Sequence, residues 1–221
     1  LVGSEMCIRD RSRSRRRDGD LTKAKIIEAA GHLIAQEGLA QTTNKAIAQL
    51  AQVDLAAINY HFEGRDGLYK AVLVEAHRHY IDEQQLAELV QSSLSPTRKL
   101  EVFFETLIQK LVEKDLWHSK VFIRELFAPS PYLEQFMAHD GARKFHYIRQ
   151  IISQVSGLDE NHPSILPCVL SVVAPCMMLI IASNNVPTPL QNISQMDSQQ
   201  LLQHLMTFSL AGLQAIKQNQ P

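Results

Sequence analysis

Nowhere among these 221 residues does apolar and polar character alternate for long enough to suggest strands. An all-β fold is therefore excluded, and helices are the expected element. Only three cysteines are present. Cys7, Cys168 and Cys176 have no CxxC spacing, and Cys168 and Cys176 sit too far apart on one helix to bond, so neither a disulfide scaffold nor a zinc ribbon is expected. Both read as core thiols in a reducing cytoplasm. The histidines form no ligand set: His77 and His79 point to different helix faces, while His139 and His146 share a face as a solvated or hydrogen-bonded pair. No nucleophile elbow and no phosphate-cradling glycine loop occur, so no metal, no cofactor and no catalysis are expected. Charge of one sign is also missing, since 22 Lys and Arg stand against 23 Asp and Glu.

The length exceeds one small domain and suits two modest helical ones. Residues 1–19 stand apart: Arg9, Arg11, Arg13, Arg15, Arg16 and Arg17 lie among Ser and Asp without apolar periodicity, which reads as a disordered basic arm able to follow a minor groove or phosphates. A second reading is open, because LVGSEMCIRDR resembles a translated sequencing adaptor and residues 1–12 are then not native. No apolar run follows the charges, so a signal peptide is not expected.

The informative stretch is 48–69, AQLAQVDLAAINYHFEGRDGLY. Thr42 and Thr43 offer N-cap hydroxyls to a helix with Ile47 and Leu50 inward, and Gln52, Val53 and Asp54 make a short break before a second helix from Leu55 to His61. A helix runs ahead of them from Leu21 to Gln36, with Asp20 as its cap, Ile26, Ile27, Ala30, Leu33 and Ile34 on one face, and Gly38 as its stop. This is helix-turn-helix geometry, which can present the first residues of its second helix to base edges in a major groove.

Val53, Asp54, Ala57, Ile58, Asn59, Tyr60, His61 and Phe62, followed by Arg65, Asp66, Leu68 and Tyr69, resemble the DNA-binding segment of the TetR/AcrR family of transcriptional regulators. The likeness extends upstream through Ile26, Ala29, Ala30, Leu33, Gly38, Thr42 and Thr43. It implies an all-α chain: a three-helix DNA-binding domain over 20–80, then a helical effector-binding and dimerisation domain over 81–221. By the same resemblance, Thr43, Lys45, Tyr60, His61 and Arg65 touch the DNA backbone, while Asn44, Leu55, Ala56, Ala57 and Asn59 approach base edges. Three departures matter. Asp54 replaces the usual capping Ser, Leu55 replaces a frequent Lys or Gln, and Ala56 and Ala57 shorten the reading face. Base reading then rests on methyl contacts and on Asn59, which can pair with adenine. Residues 21–80 hold six cations and six anions, so the salt dependence of binding should be moderate.

Beyond this segment a fourth helix begins near Asp66, carries Leu68, Val72, Ala76 and Tyr80, and is expected to continue to Val90. Ser95 and Pro96 open a helix with Phe103, Phe104, Leu107, Ile108 and Leu111. Pro129 and Pro131 interrupt after Val121 to Phe127, and another helix is expected from Tyr132 to Gln154 before Gly157. Phe104, Trp117, Phe122, Phe127, Met137 and Met178, with Arg124 and His146 as polar fixtures, would line a pocket for a small apolar or amphiphilic effector. The region around Phe122 to Glu125 and Pro129 to Phe136 also resembles CecR-like regulators.

Residues 161–196 contain no Asp, Glu, Lys or Arg. Pro167 and Pro175 and the absence of a basic flank argue against a membrane span there. In the TetR family the last two helices form the dimer interface, which implies that Val169, Val172, Val173, Leu179, Leu202 and Leu205 meet a second copy. The expected function is a homodimeric one-component regulator of double-stranded operator DNA, a repressor released by its effector. The alternatives are a helical small-molecule-binding protein or enzyme that has lost DNA recognition, and a membrane-associated factor.

Overall fold

The computed structural model describes the backbone of residues 3–112, 117–183, 192–193 and 196–219, and the side chains of 18–110, 117–179, 192–193 and 196–219. Cys7 and the six arginines of the basic arm therefore lie outside the described side chains. The described residues are helical with no strands. The chain divides into two compact units, residues 1–75 and 76–221. The division falls five residues before the expected boundary at 80.

The first unit contains α1 (Gly3–Glu37), α2 (Asn44–Ala51), α3 (Leu55–Phe62) and most of α4 (Arg65–Tyr80). α1 is continuous from Gly3, so Asp20 is an interior residue and not a cap, and the stretch expected to be disordered has a helical backbone. The apolar stripe Ile26, Ala29, Ala30 and Ile34 is buried. α1 stops where expected, at Gly38 with φ +87°, whose N–H donates to the Ile34 carbonyl at 2.9 Å.

Local chemistry sets the next two helices. Thr43 caps α2, its hydroxyl accepting from the Ala46 N–H at 3.1 Å, whereas Thr42 is buried and donates to the Gly38 carbonyl at 2.9 Å. Gln52, in the left-handed region at φ 55°, ends α2. Asp54 then caps α3 by accepting from the Ala56 N–H at 2.7 Å, so its carboxylate is directed at backbone amides, as expected. Ile58 and Phe62 of α3 are buried together with Ile47, Ala48 and Ala51 of α2.

In the second unit α4 ends at Tyr80, ten residues short of the expected Val90, because Asp82 caps a new helix α5 (Glu83–Gln91) through the Gln85 N–H at 3.0 Å. Next come α6 (Pro96–Val112), whose Ser95 hydroxyl accepts from the Arg98 N–H, and α7 (Trp117–Phe127). α8 (Pro131–Phe136) passes through a π-helical turn at Met137–Gly141 into α9 (Ala142–Ser156). α10 (Ile165–Ser183) and α11 (Ser198–Gln218) complete the unit. The core joins Leu100, Phe103 and Phe104 of α6 to Ile148, Ile151 and Ile152 of α9, with buried positions of α10 and α11 against them. Lys99, although buried, ties α6 to its neighbours by donating to the Val90 carbonyl at 2.6 Å and the Gln154 side-chain oxygen at 3.2 Å. Among the described residues no helix is long and apolar enough to cross a membrane.

Gly157 closes α9 at φ 70°, its N–H donating to the Ser153 carbonyl at 2.8 Å. Gly157→Ala should destabilise the second unit by about 1 kcal/mol, because a Cβ makes the left-handed conformation costly. A melting temperature unchanged by that substitution would contradict this account of the cap.

Candidate nucleic-acid interface

α3 has an inner and an outer side. Ile58 is fully buried and Phe62 nearly so, which turns Leu55, Ala56, Asn59 and Tyr60 outward. At 3.6 residues per turn these four form one stripe, beginning at the capped end of the helix. Leu55 is 49% exposed and Tyr60 84%. Exposed apolar side chains of this size on a two-sided helix suit contact with a partner. Ala57 and His61 flank the stripe, half-buried. The His61 ring meets Tyr60 edge-on at 5.0 Å and lies 6.2 Å from Phe62.

On α2, Thr43 and Lys45 are exposed beside the cap. Two other residues expected at DNA are differently engaged. Asn44 is half-buried, its side-chain oxygen enclosed by the protein without a hydrogen-bond partner. Arg65 donates from Nη2 to the Leu39 carbonyl, tying the start of α4 to the turn before α2. Sequence reasoning missed both, because each depends on a group that comes close only in the folded unit.

In the second unit the eight residues expected to line an effector pocket do not gather. Phe104 and Trp117 are fully buried core, and Trp117 stacks on His118 at 3.8 Å. Phe122 is half-buried, with its ring 5.6 Å from His77 and 6.0 Å from Tyr80. Arg124 and His146 are exposed, as are Phe127 at 72%, Met137 at 47% and Met178 at 46%. The reason is rotational: these positions fall on the solvent sides of α7, the π turn, α9 and α10. Concave space has other linings, Met178 apart. A cavity of about 440 Å³ is lined by Tyr80, Ile81, Leu86, Phe103, Thr106 and Lys110 among others. A second, of about 350 Å³, lies between α10 and α11 and includes Met178, Leu205 and Phe208.

The six residues expected at a dimer interface lie inward in this chain. Val169, Val172, Leu202 and Leu205 are buried within the second unit, and Val173 and Leu179 are half-buried against its core. The outward apolar residues of these two helices are Leu166, Leu170 and Met178 on α10 and Phe208 on α11, exposed by 58%, 68%, 46% and 70%. Cys168 and Cys176 are core thiols, as expected, and burial raises both their pKa values, that of Cys176 to about 12.

Comparison with known proteins adds an independent line. A family model described as "Bacterial regulatory proteins, tetR family" matches residues 26–72. A second, "HTH-type transcriptional dual regulator CecR, C-terminal domain", matches residues 96–213. The "Probable HTH-type transcriptional regulator YttP" of Bacillus subtilis (strain 168) is 26% identical over 140 residues, 58% of this chain and 68% of that protein. Among solved structures, FadR from Bacillus subtilis in complex with stearoyl-CoA superposes with a TM-score of 0.66 at 16% identity, covering 86% of this chain and 98% of that one. NalD, the secondary repressor of the MexAB-OprM multidrug efflux pump in Pseudomonas aeruginosa, does so at 0.63 and 20%, covering 88% and 96%. At such identities the two structures speak for the fold alone.

One buried pair in the second unit is absent from the sequence-based expectations. Lys144 follows the π turn on the inner face of α9, 5% exposed, and its ammonium donates to His77 Nδ1 at 3.0 Å. The Phe136 ring lies 5.0 Å from His77. A lysine four residues before Ile148, on the apolar side of α9, was the available signal. Burial, with the Lys144 charge second, lowers the His77 pKa from 6.5 to about 3. Between those two pH values the unfolded chain binds a proton that the folded chain refuses, so stability is full above about pH 6.5 and declines as pH falls. At pH 5 the His77 share of that loss should be about 2 kcal/mol. His77→Gln, which can still accept from Lys144, should remove this share. Equal acid sensitivity of the two proteins in denaturant titrations would refute the buried neutral imidazole.

Proposed function

We propose a function that proceeds from one premise: the chain belongs to the TetR family of bacterial regulatory proteins, with a CecR-type C-terminal domain. Its family and relatives are transcriptional regulators, not enzymes. On that premise it acts in the cytoplasm as a one-component repressor. Two copies bind a pseudo-palindromic operator in double-stranded DNA and leave it when a small apolar or amphiphilic molecule occupies the second unit. The observation that carries the reading is the outward stripe of α3, held at the capped end of a helix-turn-helix. NalD is described as a repressor, and FadR is described in complex with stearoyl-CoA, an amphiphile. Both descriptions support the two finer parts of the proposal.

Release requires only that the effector prefer one arrangement of the protein and DNA another; the coupling is then reciprocal. Of the ten residues expected at DNA, Thr43, Lys45, Leu55, Ala56, Asn59 and Tyr60 keep that role in the proposal, with Ala57 and His61 at its edge. Dimerisation is assigned to the outward residues Leu166, Leu170 and Met178 of α10 and Phe208 of α11, since an apolar face of this kind is unfavourable in water.

Gel shifts with DNA upstream of the protein's own gene test the reading. Lys45→Ala should weaken binding to all sequences alike and lower the slope of affinity against salt by about one. An unchanged affinity and slope would remove α2 from the phosphates. Leu170→Glu together with Phe208→Glu should give a monomer by light scattering that no longer shifts the operator, since one copy covers one half-site. A dimer that survives both substitutions would place the interface elsewhere.

A further inference from the structure

The exposed stripe of α3 carries a chemical selectivity of its own. Its four members are Leu55, Ala56, Asn59 and Tyr60. None is a Lys or Arg, the side chains that take guanine O6 and N7 in a major groove. Nearby cations do not fill that gap: Arg65 is held by the Leu39 carbonyl, and Lys45 stands on α2. His61 lies half-buried to one side of the stripe. At the capped end of α3, Asp54 has taken the Ala56 N–H. What remains there is the half-exposed Leu55 side chain and the Ala56 methyl, followed one turn later by the Asn59 amide.

Resting on the function proposed above, we propose that this face selects half-sites whose readable base pairs are A·T. Leu55 and Ala56 pack on thymine C5-methyl groups, Asn59 takes adenine N6 and N7, and no Lys or Arg of the stripe is there to take guanine O6 and N7 together. Methyl burial weighs heavily in this protein because the balanced charge of residues 21–80 limits the sequence-independent phosphate attraction. Within the helix-turn-helix itself, apolar packing and one amide carry the discrimination.

The experiment uses the full-length purified chain and duplexes selected by it from a random pool. Deoxyuridine is then substituted for thymidine within the half-sites, which removes the C5-methyl and keeps every hydrogen bond. Each thymine methyl removed from beneath Leu55 or Ala56 should weaken binding about fourfold. Placing 7-deazaadenine at the read adenine should weaken binding of the unmutated protein and leave that of Asn59→Ala unchanged. Leu55→Ala, at an exposed position and with unchanged far-UV circular dichroism, should lose the discrimination between thymidine and deoxyuridine at the base beneath Leu55 and keep it at the base beneath Ala56. Indifference of the unmutated protein to deoxyuridine, or loss of binding on methylation of guanine N7 inside the half-sites, overturns the proposal while leaving DNA binding intact. A pool from which nothing is retained overturns DNA binding itself, a separate result.

Discussion

Burial of Ile58 and Phe62 is the constraint on which the first unit depends. α3 has eight residues, little more than two turns, and cannot be stable alone in water. It persists because these two side chains are buried in the same unit as Ile47 and Ala48 of α2 and Ile26 and Ala30 of α1. That burial fixes the rotation of α3, and the rotation decides which residues look outward. Leu55, Ala56, Asn59 and Tyr60 are thus available to a partner as a consequence of where the apolar residues went. Asp54 and Glu63 bound the helix, so its first turn is held in place where a groove would receive it.

The second unit follows the same rule with a different outcome. α10 is apolar on nearly every side, so one side can enter the core while the other remains out. Ile165, Cys168, Val169, Val172 and Cys176 go in, and Leu166 and Leu170 stay out. An outward surface of this character, continued by Phe208 on α11, is costly in water and is the physical basis for assigning a second copy to it. Three charged groups that go inside find partners: Lys99 finds two acceptors, Glu125 accepts the Ser130 N–H and hydroxyl, and Lys144 finds His77.

Local chemistry was legible in the sequence. Thr43, Asp54, Ser95 with Pro96, Gly38 and Gly157 each act within a few residues of themselves, so their roles could be read from spacing. Features set by distant groups were not. The enclosure of the Asn44 side-chain oxygen, the bond from Arg65 to Leu39 and the Lys144–His77 pair depend on surroundings that a linear pattern does not specify. The inward placement of Val169, Val172, Leu202 and Leu205 was hidden for a related reason, since a helix apolar all round has no polar face to reveal its rotation. Aromatic residues at helical spacing gave a similar ambiguity: Phe104 and Trp117 are core, while Phe127, last in its helix, faces water.

The central claim is that two copies of this chain present their α3 stripes to one face of a DNA duplex. Hydroxyl-radical footprinting of the purified protein on the DNA it selects tests this most directly. The account requires two protected patches of equal extent, related by a two-fold axis and separated by about one helical turn or a whole multiple of it. A single patch, or uniform cleavage at protein concentrations that saturate binding, would contradict it.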